Sequence, residues 1–330
     1  MENAIDNGVT LHLSEEVLSI SPKEGGFEVK TDKETYQTKV VINAAGLGSD
    51  KVASMIEPIN WSLKPRKGQY FVFAPFDRQS PGRKFVTSVL FPLPSEKGKG
   101  ILFSRTTSCN YIAGPSSEEV DDPTDFSTDS LTLANVRDQA KMTVPNIPFG
   151  LQIRTFAGNR ATPSTHDFII EPSKTYRNFI NVAGIESPGL ASSPAIGEYV
   201  VEELVKPILK PELNKNYKKQ IKPYKIVSKM DEESKNKLIK ENPDYGQIVC
   251  NCELITLGEI KDALSRSLPC KTIKALKKRT RAGFGPCQGG FCQPNVINIL
   301  SKHFNVSPLE ILYDKEHSEI IQEEIKKEAK

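Results

Sequence analysis

Apolar and polar residues alternate along much of the first forty positions. Val9–Leu13, Glu16–Ile20 and Phe27–Lys30 each repeat with a period of two, which turns one face of an extended strand toward a core, and Gly25-Gly26 supplies the turn between the last two. Lys39–Ala45 is a short apolar strand ending in Asn43-Ala44-Ala45-Gly46, and a helix is predicted from Ser49 to Ile56. A buried strand running into a glycine turn and then a helix is the outline of a doubly wound α/β unit.

From Trp61 to Ile180 the pattern changes to short β-like runs: Gln69–Ala74, Lys84–Phe91, Gly100–Phe103, Asn110–Gly114, Gln152–Phe156, Asp167–Glu171 and Asn178–Val182. Stretches rich in Pro, Gly, Ser and Asp separate them, and one helix near Asp129–Met142 interrupts them. A mainly antiparallel sheet layered beside the α/β part accounts for this. After Gly184–Leu190 a helix runs to about Leu204, with Ile196, Val200, Val201 and Leu204 on its apolar face. Residues 206–245, rich in Lys, Pro, Asn and Glu, read as a linker with some helix.

The last part reads as helical. Thr256 and Glu259 fit a capping box that opens a helix to about Arg266; further helices are predicted near Thr272–Lys278 and Gln293–Phe304. Ser307, Pro308 and Glu310 look like another N-cap, N1 and N3 set, and the charged tail after Lys315 reads as a frayed helix. The expected division is therefore a body over 1–205, a linker over 206–245, a small all-α domain over 246–305 and a charged helical tail over 306–330.

Composition narrows the setting. A chain of 330 residues has room for roughly two domains. With a net charge of +3, nothing global calls for a nucleic-acid or membrane partner. No apolar run approaches the ~18 residues that cross a bilayer, so no transmembrane segment is expected. The acidic start, Met1-Glu2-Asn3-Ala4-Ile5-Asp6, lacks the order of a signal peptide. The expected location is cytoplasmic and reducing, where the six cysteines are thiols, ligands or catalytic groups rather than disulfides.

Four of those cysteines form two close pairs, Cys250-Asn-Cys252 and Cys287-Gln-Gly-Gly-Phe-Cys292, while Cys109 and Cys270 stand apart. Four thiolates suit zinc or an iron–sulfur cluster, and the C-x-C spacing departs from the C-x2-4-C of structural zinc sites. Gly283, Gly285, Gly289 and Gly290 crowd the second pair, allowing unusual backbone angles and N–H groups aimed at sulfur. Lys277, Lys278, Arg279 and Arg281 lie just upstream, where positive charge would favour an anionic cluster. Spacing alone leaves structural zinc and simple buried thiols open. The short basic run has no interleaved aromatic platform and reads as a solvated helix face, so no nucleic-acid partner is expected.

With Cys250-Asn-Cys252-Glu253, Glu259-Ile260, Lys278–Gly283 and Cys287–Cys292, residues 248 to 300 resemble the bacterioferritin-associated-ferredoxin-like [2Fe-2S] domain. That resemblance implies a [2Fe-2S] cluster on Cys250, Cys252, Cys287 and Cys292. The first 205 residues resemble the FAD-dependent oxidoreductases of the D-amino-acid oxidase and glycerol-3-phosphate dehydrogenase type. The stretches that carry this are Glu2-Asn3-Ala4 with Asn7-Gly8-Val9, Val41–Gly46, Pro65–Tyr70, Phe156–Arg160, and Gly184–Leu190 with Pro194-Ala195-Ile196.

The resemblance implies FAD along Ala44, Ala45 and Gly46, whose small side chains let a cofactor approach a strand end, and along Gly184, Ile185, Glu186, Ser187, Gly189 and Leu190 at a helix N-terminus. Arg160 is the candidate for holding an anionic substrate group, since a guanidinium fits carboxylate or phosphate bidentately. Arg66 and Arg154 are weaker candidates, and a structural ion pair is the alternative reading for each. His166 reads as a surface-loop residue. G-x-G-x-x-G occurs nowhere; in the resembled family it lies in an N-terminal βαβ unit that cradles the FAD pyrophosphate, and this chain begins after it. The expectation is a fragment, or a flavin site completed by a separate polypeptide, with FAD bound poorly by the chain itself. Ser108-Cys109-Asn110 also departs from the family, which would have glycine before the Asn.

The expected fold is thus α+β and α/β: an incomplete FAD-binding Rossmann-type domain with an antiparallel-sheet substrate domain, then the small all-α [2Fe-2S] domain. The expected function is a glycerol-3-phosphate dehydrogenase-like flavoenzyme that oxidises a small anionic hydroxy or amino substrate. Electrons would leave through the cluster to an acceptor protein or partner subunit. The alternative is a non-catalytic iron–sulfur electron-transfer or binding subunit of a split flavoenzyme.

Overall fold

The computed structural model describes residues 1–77, 85–93 and 100–323. The chain forms two compact units, His12–Leu213 and a second made of Met1–Leu11 together with Asn214–Lys330.

In the first unit, strands Val17–Lys23, Gly26–Thr31 and Thr35–Thr38 form an antiparallel meander. The turn tolerates only glycine at 26, because a Cβ there would lie 2.1 Å from the Thr38 carbonyl oxygen. A second, three-stranded sheet has the order Ile169–Pro172, Phe179–Ala183, Val41–Asn43, with the last two strands parallel. Ile20, Phe27, Trp61, Leu63, Ile169 and Phe179 make the core beneath these sheets.

The third sheet has five antiparallel strands around Leu63–Phe73, which pairs with Gln152–Pro163 from Leu63↔Pro163 to Phe73↔Gln152. These strands are about twice as long as their apolar runs predict. Pro65, Gly68 and Gly158 read as breakers in sequence, but Gly68 lies directly opposite Gly158 and the ladder passes through both. Helix Ser130–Thr143, capped by Asp129 on the Thr132 amide at 2.8 Å, buries Val136 and Ala140 in a core with Phe71, Phe73, Phe103 and Tyr111. Of the strand expected at Lys84–Phe91, Lys84 lies outside the described residues, and the rest shows a single bridge, Leu90 to Phe103.

The second unit is largely helical: Leu257–Leu264, Ile273–Thr280 and Gln293–Phe304, with a small ribbon of Ile248–Cys250 and Ile255–Thr256. The Thr256–Glu259 capping box is present in both directions. Ile260, Leu264, Leu276 and Leu300 are fully buried between the helices. Val9–Leu13 is not a strand; the chain begins instead with a helix, Glu2–Asp6. The buried Glu2 carboxylate, whose side chain is bonded by Arg279 and, at 3.1 Å, by the Tyr224 hydroxyl, gives those residues a fixed partner. Within 206–245 lie helices Lys206–Leu209 and Glu232–Glu241 and a small core of Val227, Leu238 and Tyr245. The tail departs from the expected helix: Pro308–Glu310 is one 3-10 turn, Leu312 bridges Glu319, and 311–323 holds no helix; 324–330 lie outside the described residues.

Candidate functional site

The four cysteines expected as ligands converge. The Cys252 and Cys287 sulfurs lie 3.5 Å apart, and Cys250 lies close enough to Cys292 to raise its thiol. Cys250 and Cys292 are 1% and 4% exposed, whereas Cys252 and Cys287 are half-buried. Among the described residues, no three Cys, His, Asp or Glu side chains are arranged to hold a single metal ion. The donors are grouped two and two. That arrangement fits a binuclear cluster, in which each iron takes two thiolates, better than a tetrahedral zinc ion.

The second pair sits in a turn built for sulfur. Gly283 and Gly289 have φ of +89° and +95°, a region that favours glycine. Burial pushes the Cys287 thiol up, but the amides of Phe291, Gly289 and Gly290 and the Cys252 side chain outweigh it and hold the thiol below its ordinary value. Cys252 is raised by its bond to Cys287 and by burial; Cys292 is pushed up to about 12 by burial and by Cys250. Thiols crowded this closely resist carrying several negative charges together, and cationic iron removes that penalty. The residues present therefore fit a [2Fe-2S] cluster.

The upstream cations divide. The Lys277 ammonium is 3.3 Å from Gln288 Oε1, beside Cys287, and 4.7 Å from the Phe284 ring centre. Arg281 bonds Glu253 at 2.8 Å. Arg279 instead turns to Glu2 and Tyr224, where its charge acts on Cys270. Cys270 is buried and its thiol is pushed up by burial, so it stands apart from the paired sulfurs.

In the first unit, the parallel strands Val41–Asn43 and Phe179–Ala183 end side by side. Asn43 ties them, its amide nitrogen donating to Asn181 Oδ1 at 2.9 Å and to the Ser49 carbonyl at 2.8 Å. Beyond these ends lie Ala44, Ala45 and Gly46, all exposed, and Gly184 to Leu190. Gly46 and Gly184 have φ of +58° and +63°, and a Cβ on Gly184 would lie 2.8 Å from the Cβ of Pro163. Helix Gly189–Tyr199 starts next to this edge without a side-chain cap, and its Gly189 and Ala191 amides donate to the Glu186 and Pro188 carbonyls. These features suit the approach of a flat cofactor to the carboxyl ends of parallel strands.

Arg160 and Thr162 lie on the same face of strand Gln152–Pro163. Thr162 donates to Glu186 Oε2 at 2.9 Å. Arg160 donates Nε to the Arg66 carbonyl at 3.3 Å and Nη2 to the Ser116 carbonyl at 3.0 Å, which fixes the guanidinium plane. Arg66 is directly opposite Arg160 in the ladder, Arg154 is exposed, and His166 lies in a turn with φ of +60°. Sequence reasoning missed two supports of Arg160, Ser116 and Gly68. A Cβ on Gly68 would sit 3.4 Å from Arg160 Nη2. Neither support carries a local sequence signal, because both contacts depend on long-range pairing.

Residues 1–203 match the family model for FAD dependent oxidoreductase, and residues 248–302 match that for the BFD-like [2Fe-2S] binding domain. The chain belongs to the FAD-dependent oxidoreductase family. It is 40% identical over 328 residues to a glycerol 3-phosphate dehydrogenase of Caloramator mitchellensis, a match covering 99% of this chain and 67% of that protein. The structure of L-alpha-glycerophosphate oxidase from Mycoplasma pneumoniae with FAD bound aligns with a TM-score of 0.57 at 28% identity, over 65% of this chain and 56% of that one. The FAD complex of a Bacillus halodurans glycerol-3-phosphate dehydrogenase shares the fold at a TM-score of 0.62 and 16% identity, over 93% and 68% of the two chains. The chain is thus a glycerol-3-phosphate dehydrogenase-like FAD oxidoreductase with a [2Fe-2S] domain, from an enzyme family. Among the described residues no helix is long and apolar enough to cross a membrane.

Proposed function

We propose that this chain oxidises glycerol 3-phosphate or a closely similar small anionic alcohol, and passes the electrons through its cluster to an acceptor protein. The observation that carries the reading is the placing of Arg160. Thr162, one repeat along the same strand face, is bonded to Glu186 in the cofactor-facing segment, so the Arg160 Cα stands about 7 Å along the strand from that of Thr162. An anion held there directs the adjoining carbon toward the edge formed by Ala44–Gly46 and Gly184–Leu190. FAD, when bound, accepts a hydride and can return electrons singly. The chain's own residues orient the substrate: Arg160 holds the anion, and Gly68 and Ser116 hold Arg160. Cys250, Cys252, Cys287 and Cys292 hold the cluster.

Anaerobic purification followed by optical and EPR spectra tests the cofactor part; a colourless chain that gains no iron on reconstitution overturns it. With FAD supplied, Arg160→Ala should raise KM for glycerol 3-phosphate by roughly tenfold or more, the loss of a charged hydrogen-bond pair. An unchanged KM would remove Arg160 from the substrate site. A second reading, a subunit of a split flavoenzyme, is favoured by apolar exposure on the helix beyond Gly189: Leu190 is 94% and Tyr199 47% exposed. Stoichiometric FAD in the isolated chain would count against it.

A further inference from the structure

We propose that Cys252 and Cys287 hold the iron that becomes ferrous when the cluster takes up an electron, while Cys250 and Cys292 hold the iron that stays ferric. The inference rests on the [2Fe-2S] reading above. One electron, from reduced flavin or from dithionite, converts a diferric pair to one ferric and one ferrous ion, and no bond is made or broken. The added negative charge settles on the iron whose thiolates are better stabilised by donors and solvent.

The two pairs differ in both respects. Cys250 and Cys292, 1% and 4% exposed, meet the full cost of holding extra charge away from water. Cys252 and Cys287 are half-buried. The amides of Gly289 and Phe291 lie within reach of the Cys287 sulfur and that of Cys287 within reach of Cys252, while the Gly290 amide donates to the Cys287 carbonyl at 3.0 Å. The positive φ of Gly289 helps turn successive N–H groups of this loop toward one sulfur. Phe291 is 85% exposed although its amide lies within reach of Cys287, so the reducible edge lies directly under the surface.

The test uses the full chain, reduced with dithionite after anaerobic purification. Two irons per chain and the optical spectrum of the cluster must be present first; their absence defeats the cluster reading itself, and the inference with it. In an antiferromagnetically coupled pair, hyperfine shifts on the ferric side shrink on warming, and those on the ferrous side grow. With 15N-phenylalanine labelling, and Phe291→Leu to assign the signal, the Phe291 amide shift should grow on warming. In Cys250→Ser, 13Cβ-cysteine labelling should show the loss of a ferric-side set, with both ferrous-side sets kept. At fixed solution potential, Cys252→Ser should lower the reduced-to-oxidised ratio by about tenfold more than Cys250→Ser, because a serine oxygen favours ferric iron. A Phe291 shift that shrinks on warming, in a chain with an intact cluster, overturns the inference and leaves the cluster reading standing; that measurement alters no ligand.

Discussion

A Cβ added to Gly285 would lie 2.2 Å from the Cβ of Cys252 and 3.4 Å from its sulfur. The first ligand pair therefore packs on the bare backbone of the loop that carries the second. Gly285→Ala must push the two loops apart, an overpacking cost of about 1–3 kcal/mol, and should lower cluster occupancy by roughly tenfold. Iron content and visible absorbance per chain measure this. Full occupancy in the alanine variant would show that the loop yields without opening the sulfur pairs.

Gly184 is constrained twice, by its φ of +63° and by Pro163, whose Cβ would be 2.8 Å from a new methyl group. Gly184→Ala should destabilise the His12–Leu213 unit by about 1–3 kcal/mol. Urea unfolding followed by the fluorescence of Trp61, which is buried in that unit's core, reads the change. A midpoint within error of the parent would mean that Pro163 gives way freely.

Cys109 stands at a position where glycine was expected, and its φ is +69°. Its amide donates to the Thr106 carbonyl at 2.9 Å, closing a tight turn before strand Tyr111–Gly114. A left-handed conformation costs a residue with a Cβ about 1–2 kcal/mol, partly offset by the chain entropy that glycine loses. Cys109→Gly should therefore stabilise the unit by about 0.5–1 kcal/mol and raise Tm by about 1–4 °C. Calorimetry under reducing conditions decides it, and a lower Tm would refute the strain.

Burial pushes the Glu57 carboxyl up, but bonds from the Lys174 and Thr175 amides, each at 3.0 Å, and from the Ser173 and Thr175 side chains hold it below its ordinary value. A carboxyl depressed on folding contributes stability that is fully present above its unfolded pKa and is lost as pH falls through the folded one. The unit should lose stability from about pH 5 downward, and Glu57→Gln should flatten that acid limb while lowering stability at pH 7. Denaturant midpoints at several pH values give the slope; an equal slope in both proteins would assign the acid limb to other carboxyls.

Much of this was legible in sequence because the chemistry is local. Cys250, Cys252, Cys287 and Cys292 announced themselves by spacing, and Thr256 and Glu259 by the reciprocal cap they form. Ser307–Glu310 was also a real cap, but the turn it starts is three residues long, and Leu312 then bridges Glu319 instead of continuing it. Long-range pairing was not legible. The extent of Leu63–Phe73 depends on a partner some ninety residues away, and Gly68 stops being a breaker only when Gly158 stands opposite. Arg279 belonged, by position, with the cations near the cluster; a distant acid, Glu2, takes it elsewhere.

That same Glu2 carries a consequence for the order of events during synthesis. Met1–Leu11 and Asn214–Lys330 make one compact unit, so helix Glu2–Asp6 waits more than two hundred residues for Tyr224 and Arg279. At ~5–20 residues per second, this is on the order of 10–40 s. Throughout that interval Glu2 has neither Arg279 nor Tyr224 to answer it, while the His12–Leu213 unit can already close. Loading of iron and sulfide is therefore a late step, because the fourth thiol, Cys292, follows both Tyr224 and Arg279 in the chain.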